Sequence, residues 1–179
     1  MRMVVKTLIK IFLVAFAALA LSACGSAKYY VYGEKASAVV GNGGMVLIER
    51  NAATRDGFSD CMQNWLAAHS YRFRVADGIA DKADSPYLSY EGRWSWDLAT
   101  YLRTAYISLH KDGRLMSRVR LQVPNNLNFS KFDSGEEKID KMMSLLFFHE
   151  CEGQNDVNVF RESADQRNVR RWDPAIDRD

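Results

Sequence analysis

Leu88-Ser89-Tyr90-Glu91-Gly92-Arg93-Trp94-Ser95-Trp96-Asp97 alternates without a break. Leu88, Tyr90, Gly92, Trp94 and Trp96 fall on one side of an extended chain, and the polar residues between them fall on the other. Successive side chains of a strand point to opposite faces, so this stretch reads as a half-buried strand whose aromatic face belongs to the core. The alternation assigns Trp94 and Trp96 to that core face together. Asp97 follows where the chain is expected to turn, because its carboxylate can accept backbone N–H groups at a reversal.

The neighbours extend the pattern into a meander. Tyr101 to His110 reads as the next strand, and Asp112-Gly113 is a strong two-residue hairpin signal. Arg114 to Val123 returns with Leu115, Val119 and Leu121 expected inward, and Pro124-Asn125-Asn126 ends it. Upstream, Met45 to Glu49 reads as a strand. The Gly41-Asn42-Gly43-Gly44 run precedes that strand and opens no helix, so it reads as a plain turn and not as a phosphate loop. From about Asp56 to His69, the spacing of Phe58, Cys61, Met62, Trp65 and Leu66 puts them on one helical face, with Thr54 or Asp56 to cap the start. Tyr71, Phe73 and Val75 then alternate with Arg72 and Arg74 as a strand, and 77–86 reads as a polar loop. Ser134 with Glu137 forms a capping box, and Ile139, Met142, Met143 and Leu146 give a second helix its buried stripe.

The expected fold is α+β: a mostly antiparallel sheet of about five strands with two helices on one face, in the order β-α-β-β-β-β-α. Residues 44–152 form this domain. Residues 153–179 read as a polar, mostly disordered tail, with one short helical or extended piece docked on the domain.

Residues 1–43 have a different character. Arg2, Lys6 and Lys10 precede an unbroken apolar run from Ile11 to Leu21. A run of about eleven residues is too short for an ordinary spanning helix but suits a signal peptide, here 1–23. Leu21-Ser22-Ala23-Cys24-Gly25 resembles the lipobox of bacterial lipoproteins. That resemblance implies cleavage before Cys24, diacylation of its sulfur and usually acylation of the new amine. Gly25 after the cysteine, in place of Asp, implies sorting to the outer membrane, on its periplasmic face. Residues 24–43 then read as a lipidated tether. A plain secretory signal with an incidental cysteine, or an uncleaved anchor, is the alternative.

The whole chain has 24 basic and 22 acidic residues; three of the basic ones lie in the signal, so 21 face 22 in the mature chain. A near-neutral domain gives no electrostatic reason to expect nucleic acid or an anionic surface as partner. Two cysteines remain after Cys24, namely Cys61 and Cys151. They could form one disulfide, closing a loop of about 90 residues and contributing roughly 4 kcal/mol, or stay as two buried thiols.

The stretch from Tyr90 to Leu102, with Trp94, Trp96, Asp97, Ala99, Tyr101 and Leu102 at its motif positions, resembles a family of small proteobacterial lipoproteins, the Sbal_3080-type lipoproteins. The later Phe129-Ser130-Lys131-Phe132 and Glu137-Lys138-Ile139 fit the same pattern, over roughly residues 45–150. The resemblance implies structural roles for Trp94, Trp96, Asp97 and Tyr101, and it implies no activity.

Candidate chemistry is sparse. His149-Glu150-Cys151-Glu152 is the densest set of metal-ligand types, but it lacks the second histidine of a zinc helix and reads as a solvated helix end, with no metal and no cofactor expected. Ser59 in Gly57-Phe58-Ser59-Asp60-Cys61 lacks the second glycine of a nucleophile elbow, and His69 and His110 have no partner at useful spacing. The expectation is a non-catalytic binding or envelope-assembly module held to the membrane by the lipid on Cys24. It would present a sheet edge or helix face to an envelope protein. The alternatives are a small-ligand binder with a pocket beside the 77–86 loop and, behind it, a hydrolase built on one of the histidines.

Overall fold

The computed structural model describes residues 27–78, 85–97, 99–124, 134–150 and 158–162. Seven strands form one sheet: β1 (Lys28–Gly33), β2 (Met45–Glu49), β3 (Arg72–Ala76), β4 (Tyr87–Asp97), β5 (Ala99–Lys111), β6 (Arg114–Gln122) and β7 (Asn158–Glu162). Among the described residues three helices accompany them: α1 (Ala36–Val40), α2 (Asp56–Ala68) and α3 (Gly135–Phe148). Across the sheet the strands run β3-β2-β4-β5-β6-β1-β7.

The sheet is mixed. β4–β5, β5–β6 and β1–β6 pair antiparallel, while β2–β3, β2–β4 and β1–β7 pair parallel. The expectation of about five mostly antiparallel strands is corrected at both flanks. Within the span expected to be a tether, Tyr29 and Val31 point into the core between the half-buried Tyr30 and Tyr32, a period-two signal that short length and flanking glycines concealed. The α1 helix follows at once, with Ala36 buried and the Ser37 hydroxyl donating to the Phe147 carbonyl at 2.7 Å. Residues 28–40 are thus part of the packed domain. β7 is the docked extended piece of the tail. Cys24, Cys151 and the remainder of the tail lie outside the described residues.

One face of the sheet carries the core. Val46, Ile48, Leu88, Tyr90, Ile107, Leu109, Val119, Leu121, Tyr29 and Val31 meet Phe58, Met62, Trp65 and Leu66 of α2 and Ile139, Met142, Met143 and Leu146 of α3. α2 and α3 lie side by side in the same direction: Trp65 Nε1 donates to Ser144 Oγ at 3.1 Å, and one turn later the His69 and Phe148 rings are 5.7 Å apart. The expected cap of α2 is corrected. Arg55 occupies that position without a side-chain bond, and Thr54 Oγ1 instead accepts from the Gly92 N–H at 3.3 Å, tying the helix start to β4. At α3 the serine half of the expected box forms, Ser134 Oγ accepting from the Glu137 N–H at 3.0 Å, while the Glu137 carboxylate accepts from Lys141 Nζ at 2.8 Å. Ser134→Ala should lower stability by about 1 kcal/mol, read as a shift in the thermal midpoint.

Two register shifts redistribute the side chains of the meander. The Asp112-Gly113 turn has both residues at positive φ (52° and 70°), the type I′ geometry that its sequence demands. Just beyond it Leu109 pairs with Ser117 but His110 with Leu115, leaving Met116 as the extra residue of a bulge. Leu115, expected inward, is therefore opposite His110 on the far face, and Ser117 takes the buried position. A second shift between Arg93 and Trp94 leaves Arg103 unpaired in β5. No helix among the described residues is long and apolar enough to cross a membrane.

Candidate binding face

The face of the sheet turned away from the helices is polar and aromatic. Its residues are the outward partners of the strand alternation, and the register lines them up across five strands. Glu91 of β4 lies beside Tyr106 of β5, then Arg120 of β6, Tyr30 of β1 and Phe160 of β7. One row toward the β5–β6 turn, Ser89, Ser108, Arg118 and Tyr32 are aligned in the same way.

The rows are internally bonded. The Tyr106 hydroxyl donates to Glu91 Oε2 at 2.9 Å, and Arg93 Nε donates to Oε1 of the same carboxylate at 2.9 Å. Burial and the Glu91 carboxylate hold the Tyr106 phenol well above its ordinary pKa, so it remains a donor at every physiological pH. Arg118 donates to Ser108 Oγ at 2.7 Å and lies over the Tyr106 ring, while Arg120 lies over the Tyr30 ring, which stacks on Phe160 at 5.1 Å. Guanidinium groups over aromatic rings combine charge with flat apolar area, which is the composition of a recognition surface.

The same face brings Ser89 to His110, with Oγ and Nε2 3.1 Å apart and the His110 ring stacked on Tyr87. Sequence spacing hid this pair because it spans two strands. Burial, aided by the nearby Arg118 charge, pushes the His110 pKa down from 6.5 to about 4. A base of that strength is poorly matched to taking a proton from serine near neutrality. The depressed value also gives a sign for pH dependence. The unfolded chain binds the proton more readily, so the stability associated with neutral His110 is complete above about pH 6.5 and is lost as pH falls toward about 4. His110→Gln should flatten part of that acid limb in denaturant titrations at several pH values.

The other histidines are placed differently. The His69 ring stacks on Trp65 at 3.8 Å, and its Nδ1 lies 2.8 Å from the Trp65 carbonyl. His149 closes α3 in the left-handed region, its pKa lowered by burial and then by Arg161 and Lys35. Among the described residues no group of three or more His, Cys, Asp or Glu could hold a metal; Cys151 and Glu152 of the expected cluster lie outside them. Ser59 is buried in α2 and accepts from Gln63 Nε2 at 3.2 Å. Cys61 is half-buried on α2, and its thiol pKa is raised by burial and then by Glu136 and Asp140. Its proposed partner Cys151 lies outside the described residues.

The motif residues are divided by the structure. Trp94 packs over Gly92, edge-on to Phe58 at 6.3 Å, with the Arg55 guanidinium 4.9 Å from its ring. Tyr101 is buried. Trp96 is not in the core: it is 72 % exposed. Beyond the bulge the β4–β5 hairpin outruns its neighbours, because β2 meets β4 only at Tyr87 and Leu88 and β6 meets β5 from Thr104 onward. Alternation places Trp94 and Trp96 on one side of this ribbon, but the helix layer covers only Trp94. β4 ends at Asp97 and β5 begins at Ala99, so the chain reverses where Asp97 was expected to turn it.

No family model matches the chain, and no curated protein matches it. Among solved structures, a PelC dodecamer from Paraburkholderia phytofirmans is similar at 11 % identity and a TM-score of 0.43, over 68 % of this chain and 95 % of that one. A minor lipoprotein from Acinetobacter baumannii is similar at 13 % identity and a TM-score of 0.27, over 57 % of this chain and 81 % of that one. Likenesses at these scores carry no argument about what the present chain does.

Proposed function

We propose that this chain is an outer-membrane lipoprotein anchored through Cys24, and that its domain is a non-catalytic module that holds an envelope protein against the helix-free face of the sheet. The observation that carries the reading is the continuous row Glu91, Tyr106, Arg120, Tyr30 and Phe160. Among the described residues the helices cover the opposite face, while Arg93, Arg118 and Arg120 and the rings of Tyr30, Tyr32, Tyr87, Tyr106 and Phe160 lie on this one. The string Leu21-Ser22-Ala23-Cys24-Gly25 supports the anchor. The low basicity of His110 supports a non-catalytic role despite its contact with Ser89.

Photo-crosslinking in cells tests the binding face. A photoreactive side chain at Phe160, at the exposed end of the row, should give a discrete heterologous adduct, and the same group at Asp112, on the β5–β6 turn, should give none. The adduct should fall about tenfold when Arg120→Ala is added, as expected for a guanidinium at the centre of an interface. Equal adducts from both positions, or none from Phe160, would refute the face as a docking surface.

A further inference from the structure

The structure places the β4–β5 ribbon at the end of the sheet from which the chain leaves toward Cys24. Lys28, the first residue of β1, pairs with Gln122; Gln122 pairs with Thr104, and Thr104 with Arg93. These four residues mark one level across the sheet. β4 runs past this level toward Asp97, so Trp96 lies three residues beyond it, roughly 10 Å at the rise of a strand. Cys24 precedes Lys28 by four residues, a span of at most about 14 Å when fully extended. An acylated Cys24 would therefore hold this end of the domain close to the lipid surface, within reach of the ribbon.

We propose that Trp96 is a second membrane contact, inserting its indole at the phospholipid interface beside the acyl anchor. The inference rests on acylation of Cys24. An amphipathic indole is suited to the headgroup level, where an apolar ring and a polar N–H are both satisfied. At 72 % exposure Trp96 is the most exposed large apolar side chain among the described residues, and Ala99 and Thr100 across the hairpin are exposed beside it. The surrounding charge fits a bilayer containing anionic lipid: Lys28, Arg55 and Arg103 are exposed at this end, Arg55 over the neighbouring Trp94 and Arg103 at the bulge. A lipid anchor combined with a second contact also fixes orientation, which one flexible attachment does not. With the ribbon down, the sheet stands on its β4–β5 end and the Tyr–Arg face is turned to the side.

The test uses the full lipidated protein in vesicles of phosphatidylethanolamine and phosphatidylglycerol whose acyl chains are brominated. Bromine quenches tryptophan emission only at close range. The wild-type protein should be quenched, Trp96→Phe should lose that quenched component, and Trp94→Phe should retain it. Trp96 is exposed, so its replacement leaves the packed domain intact; an unchanged thermal midpoint checks this. Quenching that is equal in wild type and Trp96→Phe, on protein whose Cys24 carries acyl chains, overturns the contact and leaves the hairpin to a protein partner. A Cys24 without acyl chains, shown by absent palmitate labelling, instead removes the anchor on which the inference rests.

Discussion

Phe58→Ala is expected to lower the unfolding free energy by about 4 kcal/mol. Phe58 is 1 % exposed, stacks on Tyr90 at 5.2 Å and meets the Trp94 ring edge-on, so it joins the first turns of α2 to the centre of β4. Gly92 leaves room for this arrangement, since a Cβ there would approach the Phe58 and Trp94 rings to 2.9 Å. Truncation removes the ring and opens a cavity that the neighbouring Tyr90 and Trp94 rings are too rigid to fill. Domains of this size have a total stability of only about 5–15 kcal/mol, so urea denaturation should show a large drop in midpoint at unchanged slope. A loss below about 1 kcal/mol would mean that α2 is not seated on the sheet as described.

Gly33→Ala is expected to cost about 3 kcal/mol or more. Gly33 ends β1 at φ 85°, and a Cβ built there would be 2.0 Å from the Met116 carbonyl oxygen and 2.9 Å from Ser117 Cα. Both neighbours are backbone, and Met116 is the residue extruded by the β6 bulge, whose carbonyl also accepts the Glu34 N–H at 3.2 Å. Neither can yield without breaking the β1–β6 pairing, so positive-φ strain and overpacking add. Gly78→Ala provides the comparison: it has φ 62° but no atom within 4 Å, so it should cost only about 1 kcal/mol of backbone strain. Equal costs in the two variants would contradict the close approach of β1 to the bulge.

The parts of the fold legible in the sequence were those set by local chemistry. The Asp112-Gly113 hairpin, the Ser134 cap and the helical stripes of Phe58, Met62 and Leu66 or of Ile139, Met142 and Leu146 follow from turn geometry, orphan N–H groups and periodicity. What escaped depended on distant partners. Lys28–Gly33 is too short, and too close to glycines, to announce itself as a strand until β6 pairs with it and sets Leu121 and Val119 beside Tyr29 and Val31. A bulge inserts one residue and reverses the faces beyond it, so Ser117 keeps the inward place it shares with Val119 and Leu121 while Leu115, which strict alternation also assigns inward, lies opposite His110 on the far face. Trp96 obeys the alternation but lies beyond the helices that would have covered it. The Tyr–Arg face was invisible for a related reason. Glu91, Tyr106, Arg120, Tyr30 and Phe160 are far apart in the chain, and only the strand order β4-β5-β6-β1-β7 makes them neighbours.

Attachment through Cys24 underlies both the proposed location and the proposed orientation, and intact mass spectrometry of the protein extracted from the membrane fraction tests it most directly. The expected mass is that of residues 24–179 with two or three acyl chains, an increment that disappears in Cys24→Ser. A mass that retains residues 1–23, or one that begins at Cys24 without acyl chains, would contradict the account.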